Sequence, residues 1–151
     1  ETLADLILPA RFSKQKARYL KAMAAFFEKF DFSFDAVKAH FNPETLRKTL
    51  LGLKGVGPET ADTLLLYAFE MPFFVIDAYT QRIAFRLGLT PSETIAYQEI
   101  QRLFQENLPP QTALLNQYHA LLVKLAKLHC IKKNPRCSSC PLELICEKKG
   151  V

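Results

Sequence analysis

Apolar residues along this chain recur at steps of three and four, and the alternation typical of strands never persists. The pattern therefore predicts an all-helical fold. Helices are expected over about 13–30, 34–41, 43–52, 58–70, 77–87 and 112–128, with one more between Thr90 and Pro109. A short helical end precedes Pro9, and the tail after the last helix is irregular.

Polar residues and prolines mark the expected helix starts. Side-chain oxygens at such positions accept N–H groups of the first turn, and proline fits the first helical position. We predict N-caps at Ser13, Ser33, Asn42 and Asp77, and a capping box at Thr90-Pro91-Ser92-Glu93. Residues 73–76 are predicted to be extended and buried, and Tyr67 to belong to the core.

The bulk composition fits one domain or two small lobes with a real core, since the 151 residues are 49% hydrophobic. No apolar run reaches membrane-spanning length and no secretory signal pattern is present, so we expect a cytoplasmic, nucleoid-associated protein. The chain begins with Glu1, as a piece of a longer protein would.

The charge distribution favours a polyanionic partner. The net charge is +5, and residues 120–151 carry seven Lys/Arg against two Glu, an excess equal to that of the whole chain. The cysteines lie at the same end, which connects the basic segment with a candidate metal site.

A glycine turn, Lys54-Gly55-Val56-Gly57, separates two predicted helices. Glycine allows a tight turn at low cost, and the N–H groups from Gly55 to Gly57 could all point at one phosphate oxygen. Lys54 adds a positive charge. A plain helix–helix corner that needs glycine explains the turn equally well.

Asp77 ends the apolar run 73–76, twenty residues after Gly57. A carboxylate at a helix start accepts N–H groups and should stay ionised, as an active-site anion must. An ordinary N-cap aspartate remains the alternative.

Four cysteines, Cys130, Cys137, Cys140 and Cys146, follow the spacing C-x6-C-x2-C-x5-C. Without a secretory signal, this clustering favours a metal site over disulfides. Zinc suits four thiolates, although its sites usually contain two C-x2-C pairs and this chain has one.

Together, Leu53-Lys-Gly-Val-Gly-Pro-Glu-Thr-Ala61, the following Val75-Ile-Asp77 with Arg82, and the cysteine spacing resemble the endonuclease III (helix-hairpin-helix-GPD) superfamily of DNA glycosylases. The resemblance implies a monomer acting on double-stranded DNA with a damaged base. It implies a helical lobe 1–71 with the hairpin, a helical lobe 72–151 with a [4Fe-4S] loop, and a lesion bound between them. In that family the hairpin amides hold a DNA phosphate, usually with a monovalent cation.

The resemblance assigns roles to several residues. Asp77 aligns with the catalytic aspartate, and the four cysteines with the ligands of a structural cluster. Lys132, Lys133 and Arg136 stand where the cluster loop meets the DNA backbone, or are solvated charges. Arg82 and Tyr79 follow Asp77 and are candidates to contact phosphate and line the base pocket.

Glu59 departs from part of the family. Bifunctional members carry a lysine there, which attacks the sugar and forms a Schiff base. A glutamate instead implies a monofunctional glycosylase and resembles the branch with 3-methyladenine glycosylases. Glu59 is therefore a candidate catalytic position, although a glutamate in a first helical turn is also ordinary helix chemistry.

The family's first helices, with one residue that plugs the gap left by the flipped base, have no counterpart here. The second plug falls near Arg11-Phe12, so Phe12 is a candidate wedge; a core phenylalanine is the alternative. His119 and His129 are interpreted as surface or hydrogen-bonded residues.

Two other functions stay open. The chain could be a DNA-binding module that lacks catalysis, or a bifunctional glycosylase and lyase that uses another lysine.

Overall fold

The computed structural model describes residues 2–151; Glu1, where the predicted first lobe begins, lies outside them. Every regular element in that range is helical, which confirms the predicted class. The α-helices are α1 Leu3–Leu6, α2 Ser13–Glu28, α3 Phe34–His40, α4 Pro43–Leu51, α5 Pro58–Thr63, α6 Ala78–Arg86, α7 Tyr97–Asn107 and α8 Thr112–Leu128. Shorter 3₁₀ turns lie at Leu8–Ala10, Cys137–Ser139 and Glu143–Ile145, and a π-helical turn at Leu64–Ala68.

The chain divides into two compact units, one ending at Phe69 and the other spanning Glu70–Val151. The predicted lobes, with their boundary between residues 71 and 72, stay a prediction. In the described range no helix is both long and apolar enough to cross a membrane.

The first unit has an aromatic core. The fully buried Phe69 ring stacks on Phe27, with centroids 6.2 Å apart, and lies 5.4 Å from Phe34. Phe26 is buried beside them and contacts Phe27 edge-on. Helix α4 contributes Leu46 and Leu50, both of which are fully buried. Helix α4 also packs against α5, across the glycine turn that joins them.

The π-helical turn Leu64–Ala68 was not predicted, and it changes which residues face the core. A π turn spreads one turn over more than 3.6 residues and so rotates the following side chains. Leu65, Leu66 and Phe69 are fully buried, whereas Tyr67 is 42% exposed. The prediction that Tyr67 belongs to the core is therefore wrong.

Three predicted caps are confirmed and two are wrong. The side chains of Ser33, Asn42 and Asp77 accept the N–H groups expected of N-caps. Helix α2 instead starts at Ser13, after Phe12 in left-handed backbone. The Thr90–Glu93 box caps no helix, because the Thr90 hydroxyl donates to the Ser92 carbonyl and α7 begins only at Tyr97.

In the second unit, polar side chains of α7 hold the segment before Asp77, in which Phe74, Val75 and Ile76 are buried. Gln101 Nε2 donates to the Phe74 carbonyl over 2.8 Å, and Gln105 Oε1 accepts the Phe74 N–H at 3.1 Å. The Tyr97 hydroxyl accepts the Ile76 N–H at 3.3 Å. Since α6 also packs against α8, the start of α6 is fixed from both sides.

Candidate functional site

The glycine turn joins α4 to α5, and Gly55 is required there by the fold itself. Its φ is +89°, a left-handed conformation that favours glycine. A Cβ added at this position would lie 2.2 Å from the Tyr19 ring of α2. Any larger residue would be strained twice, once in its backbone and once by this contact.

Gly57 is different, because the fold makes no demand for glycine there. Its φ and ψ are −94° and 177°, ordinary extended values, and a Cβ would meet nothing within 4 Å. Lys54 and Gly57 are both exposed. The missing side chain leaves the backbone open to a close approach from outside.

The amides of the turn are not all available. Val56 N–H donates to the Leu53 carbonyl at 3.1 Å, so the prediction that three consecutive amides point outward is wrong for Val56. The Gly55 and Gly57 amides have no acceptor among the described residues. The turn thus presents two unsatisfied donors beside a lysine, which suits an anion.

A buried ion pair joins the helices on either side of the turn. Arg47 on α4 donates from Nε and Nη2 to the two Asp62 oxygens on α5, at 2.6 and 2.9 Å, and Asp62 is fully buried. Such a forked pair fixes the crossing of the two helices. Glu59 lies exposed in the first turn of α5.

The loop before α2 presents an aromatic side chain to solvent. Arg11 and Phe12 both have positive φ, +53° and +49°, which non-glycine residues seldom adopt. Phe12 is 78% exposed, so the alternative that it closes the core is wrong. An exposed phenylalanine on strained backbone requires another explanation than packing.

Asp77 caps α6, and its two oxygens have different neighbours. Oδ1 accepts the Thr80 N–H at 2.7 Å and the Thr80 hydroxyl at 2.9 Å. Oδ2 lies 3.6 Å from Nε2 of His119 on α8. The carboxylate is therefore held between the start of one helix and the middle of another.

The pKa of Asp77 is held below its ordinary value of 3.8. Burial of the carboxyl group acts in the opposite direction, but the His119 imidazole and the Thr80 N–H and hydroxyl together outweigh it. The group is consequently an anion at neutral pH in a partly desolvated setting, as its predicted role needs.

His119 was not predicted to be a member of this site. The residue is 8% exposed, and its ring edge meets Phe74 with centroids 6.4 Å apart. Its spacing from the buried residues Leu115, Leu122 and Ala126 puts it on the inward stripe of α8. That periodicity was the available signal for burial, whereas its pairing with Asp77 depends on how α8 packs on α6.

The Arg82 side chain is buried and bonds to other groups of the protein. It is 6% exposed, its Nε donates to the Cys130 carbonyl at 2.9 Å, and its guanidinium lies 5.3 Å from the centre of the Tyr79 ring. These contacts leave little of the guanidinium for a DNA phosphate. Its Nε therefore has a structural role, and the DNA contact of Arg82 stays a prediction.

Arg86, one turn further along α6, binds the segment that contains the first cysteine. Its guanidinium donates to Cys130 Sγ at 3.4 Å and to the carbonyls of Ile131 and Lys132 at 2.8 and 3.1 Å. The Cys146 thiol in turn donates to the Arg86 carbonyl at 3.2 Å. Helix α6 therefore carries Asp77 at one end and the cysteine loop at the other.

The four cysteines are free thiols of intermediate exposure, and all of them line one small cavity with Arg86 and His129. No group of three or more His, Cys, Asp or Glu side chains in the described chain is arranged to hold a metal ion. The donor chemistry nevertheless fits a thiolate-ligated metal group, because four thiols share one cavity beside a cation.

Lys132, Lys133 and Arg136 are exposed on the loop between the first two cysteines. Lys132 and the two residues before it contribute backbone carbonyls to the buried arginines of α6, which fixes the loop. His129 Nδ1 lies 3.3 Å from the Ser139 hydroxyl, as a hydrogen-bonded histidine should. The loop therefore presents its positive side chains from an anchored backbone.

A family model described as HhH-GPD superfamily base excision DNA repair protein matches residues 1–110. Among curated proteins, the one named "Putative DNA repair glycosylase MJ1434", of Methanocaldococcus jannaschii, is 40% identical over 99% of this chain and 67% of its own length. An endonuclease III of Sulfolobus acidocaldarius is 30% identical over 97% of this chain and 62% of its own length.

Solved structures share the fold. A non-covalent endonuclease III–DNA complex superposes with a TM-score of 0.77 at 24% identity, over 97% of this chain and 63% of that one. An H. pylori 3-methyladenine DNA glycosylase (MagIII) bound to 1,N6-ethenoadenine gives 0.68 at 29% identity, over 82% and 61%. The chain spans about half to two thirds of the length of the curated relatives it matches.

Proposed function

Because this chain belongs to the HhH-GPD superfamily of base excision DNA repair proteins, we propose that it is a DNA glycosylase. It releases a damaged base from double-stranded DNA by hydrolysing the N-glycosidic bond, acting as a monomer. The observation that carries the proposal is Asp77, a carboxylate at the start of α6 whose pKa lies below its ordinary value.

The role of Asp77 follows from the charge that develops as a base departs. The sugar becomes positively charged when the glycosidic bond breaks, and a fixed anion in a partly desolvated site stabilises that charge. The Asp77 side chain is 15% exposed and Oδ1 is tied to Thr80. Its orientation is thus set before the substrate binds, which avoids a reorganisation cost during the reaction.

The proposed reaction releases the base without cutting the strand. Glu59, in the first turn of α5, stands where bifunctional members of the family carry the lysine that forms a Schiff base. A carboxylate cannot act as that nucleophile. Glu59 is therefore kept as a candidate for a role in the catalytic site, and the chain is proposed to be monofunctional.

We expect the substrate to be an alkylated purine. Such bases carry positive charge and have weak glycosidic bonds, so an anion and a pocket are enough for their release. Glu59 supports this proposal, and the chain is also 29% identical to the H. pylori 3-methyladenine glycosylase over 82% of its length.

DNA contacts are proposed at three places. The amides of Gly55 and Gly57, with Lys54, would bind a phosphate at the hairpin, where a monovalent cation is also expected. The exposed Phe12 ring would enter the gap left by the flipped base. Lys132, Lys133 and Arg136 would neutralise backbone phosphates.

The proposed cofactor is a [4Fe-4S] cluster held by Cys130, Cys137, Cys140 and Cys146. The group would brace the loop and supply no step of base release. Four thiols around one cavity support this proposal, as does the Arg86 guanidinium against Cys130 Sγ. Iron and acid-labile sulfide in equal amounts are expected on analysis of the purified protein, whereas zinc without sulfide would contradict the cluster.

The test of the function uses duplexes that each contain one 3-methyladenine, 7-methylguanine, thymine glycol or uracil. Wild-type protein should release the alkylated purines, and Asp77→Asn should lower the single-turnover rate about 100-fold or more. Asp35→Asn is the matched control, because Asp35 is an exposed carboxylate in the first turn of α3. Release that is equally fast in Asp77→Asn would exclude the proposed role.

The two other functions are separated in the same assay. Tight binding to an abasic site without any base release would indicate a binding module. Borohydride reduction during the reaction would trap a covalent adduct if another lysine formed a Schiff base. We expect no adduct, with a bifunctional glycosylase on the same duplex as the positive control.

A further inference from the structure

His119 lies beside Asp77 and has no role in the proposed reaction as described above. Thr80 fixes one carboxylate oxygen, Oδ1, through two donors of the helix start. The other oxygen, Oδ2, lies 3.6 Å from His119 Nε2. Both contacts from Thr80, on α6, reach Oδ1. The side chain that faces Oδ2 is therefore His119, on α8.

The imidazole is itself held in place. His119 is 8% exposed on the inward face of α8, and Phe74 meets its ring edge at an interplanar angle of 85°. Phe74 in turn stacks on Phe104, with centroids 4.4 Å apart. A buried ring supported in this way can orient a neighbouring carboxylate.

Other cations near α6 are engaged elsewhere. Arg82 donates to the Cys130 carbonyl, and Arg86 to Cys130 Sγ and the next two carbonyls. Among the charged side chains of α6 described here, both arginines thus bind the cysteine loop at the far end of α8. His119 is the side chain that α8 places at Oδ2 of Asp77.

We propose that His119 is a positioning residue for base release, which orients Oδ2 of Asp77 and keeps the carboxylate anionic without cancelling its charge. The inference rests on the proposed function, because it assigns His119 a role through Asp77. Nε2 faces Oδ2 at 3.6 Å, a little beyond hydrogen-bond length, so a small movement when substrate binds brings the ring nitrogen within reach of the carboxylate.

Two substitutions separate this role from simple packing. His119→Phe keeps a flat ring but removes the ring nitrogen that faces Asp77. His119→Gln places an amide donor at a similar distance from the backbone and loses the ring. A packing role predicts that the phenylalanine is the milder change, whereas a positioning role predicts that the glutamine is.

The kinetic test measures single-turnover base release and the binding of an abasic duplex. His119→Phe should slow base release about 10- to 100-fold, because Asp77 then loses the ring nitrogen that faces and orients Oδ2. His119→Gln should remain within about fivefold of wild type, and the Kd for abasic DNA should be unchanged in both. His40→Phe, at an exposed histidine of α3, is the matched control.

A second readout does not depend on activity. The carboxyl carbon of Asp77, followed by NMR in ¹³C-aspartate-labelled protein, should titrate at higher pH in His119→Phe than in wild type. An unchanged titration would overturn the inference, as would equal rates in His119→Phe and wild type. If wild type releases no base while the titration moves, the proposed function fails and the contact alone stands.

Discussion

At the scale of single residues, the two glycines of the hairpin turn have different reasons to be glycine. Gly55 has a left-handed backbone and packs on the Tyr19 ring, so folding requires it. Gly57 has an ordinary backbone and open space around it, so folding does not. The sequence shows both glycines, but not that the fold requires one of them and not the other.

Alanine at the two positions should give opposite results. Gly55→Ala should lower the free energy of unfolding by about 1–2 kcal/mol or more, from backbone strain alone. Gly57→Ala should leave stability within about 0.5 kcal/mol of wild type yet weaken DNA binding about 10-fold or more, because its methyl group obstructs a phosphate. Urea unfolding and fluorescence anisotropy measure the two effects, and unchanged DNA affinity in Gly57→Ala would argue against the hairpin contact.

Asp77 should also make stability depend on pH. Its pKa is lower in the folded than in the unfolded chain, so the stabilisation is complete above 3.8 and is lost as the pH falls through the folded value. The stability difference between wild type and Asp77→Asn should accordingly be constant near neutral pH and shrink below about pH 4. Urea unfolding across this range checks the sign; a difference that grows in acid contradicts it.

At the scale of elements, the sequence predicted what depends on neighbours along the chain. Ser33, Asn42 and Asp77 cap their helices with their own side chains, and all three were predicted. The box at Thr90–Glu93 failed, because its threonine bonds to a nearer carbonyl and the helix begins later. His119 was missed because only the packing of α8 on α6 brings it to Asp77.

The pair between α4 and α5 offers a test at this scale. Arg47→Met would leave the fully buried Asp62 carboxylate without its guanidinium, which should cost about 3–5 kcal/mol of stability. The double variant Arg47→Met, Asp62→Leu should recover most of that loss, because no charge is then buried. Urea unfolding of both variants decides this, and similar stabilities for the single and double variants would show that the pair matters little.

At the scale of the whole molecule, the positive charge is concentrated near the cysteines, and three of the charges are exposed on one anchored loop. The sequence predicted this concentration, since it needs only a count along the chain. It did not predict that Arg82 and Arg86 lie beneath the loop and bind its carbonyls. Whether an arginine is buried depends on tertiary packing, and this cannot be deduced from the net charge of a segment.

The loop should contribute a measurable share of the salt dependence of DNA binding. Replacing Lys132, Lys133 and Arg136 by alanine should reduce the slope of log K against log salt by about 0.9 for each phosphate that the loop no longer neutralises, or about 3 in all. The control removes three exposed lysines of the first unit, Lys21, Lys29 and Lys48. Equal slopes in the two triple variants would mean that net charge, and not the loop, attracts DNA.

The π-helical turn at Leu64–Ala68 has a consequence for how this protein can vary. One residue fewer would restore α-helical spacing and rotate Phe69 by about 100°, away from the rings of Phe27 and Phe34 that it now contacts. Substitutions at the exposed Tyr67 should be tolerated far better than a deletion. Related sequences should therefore preserve the length of this segment more strictly than its residue types.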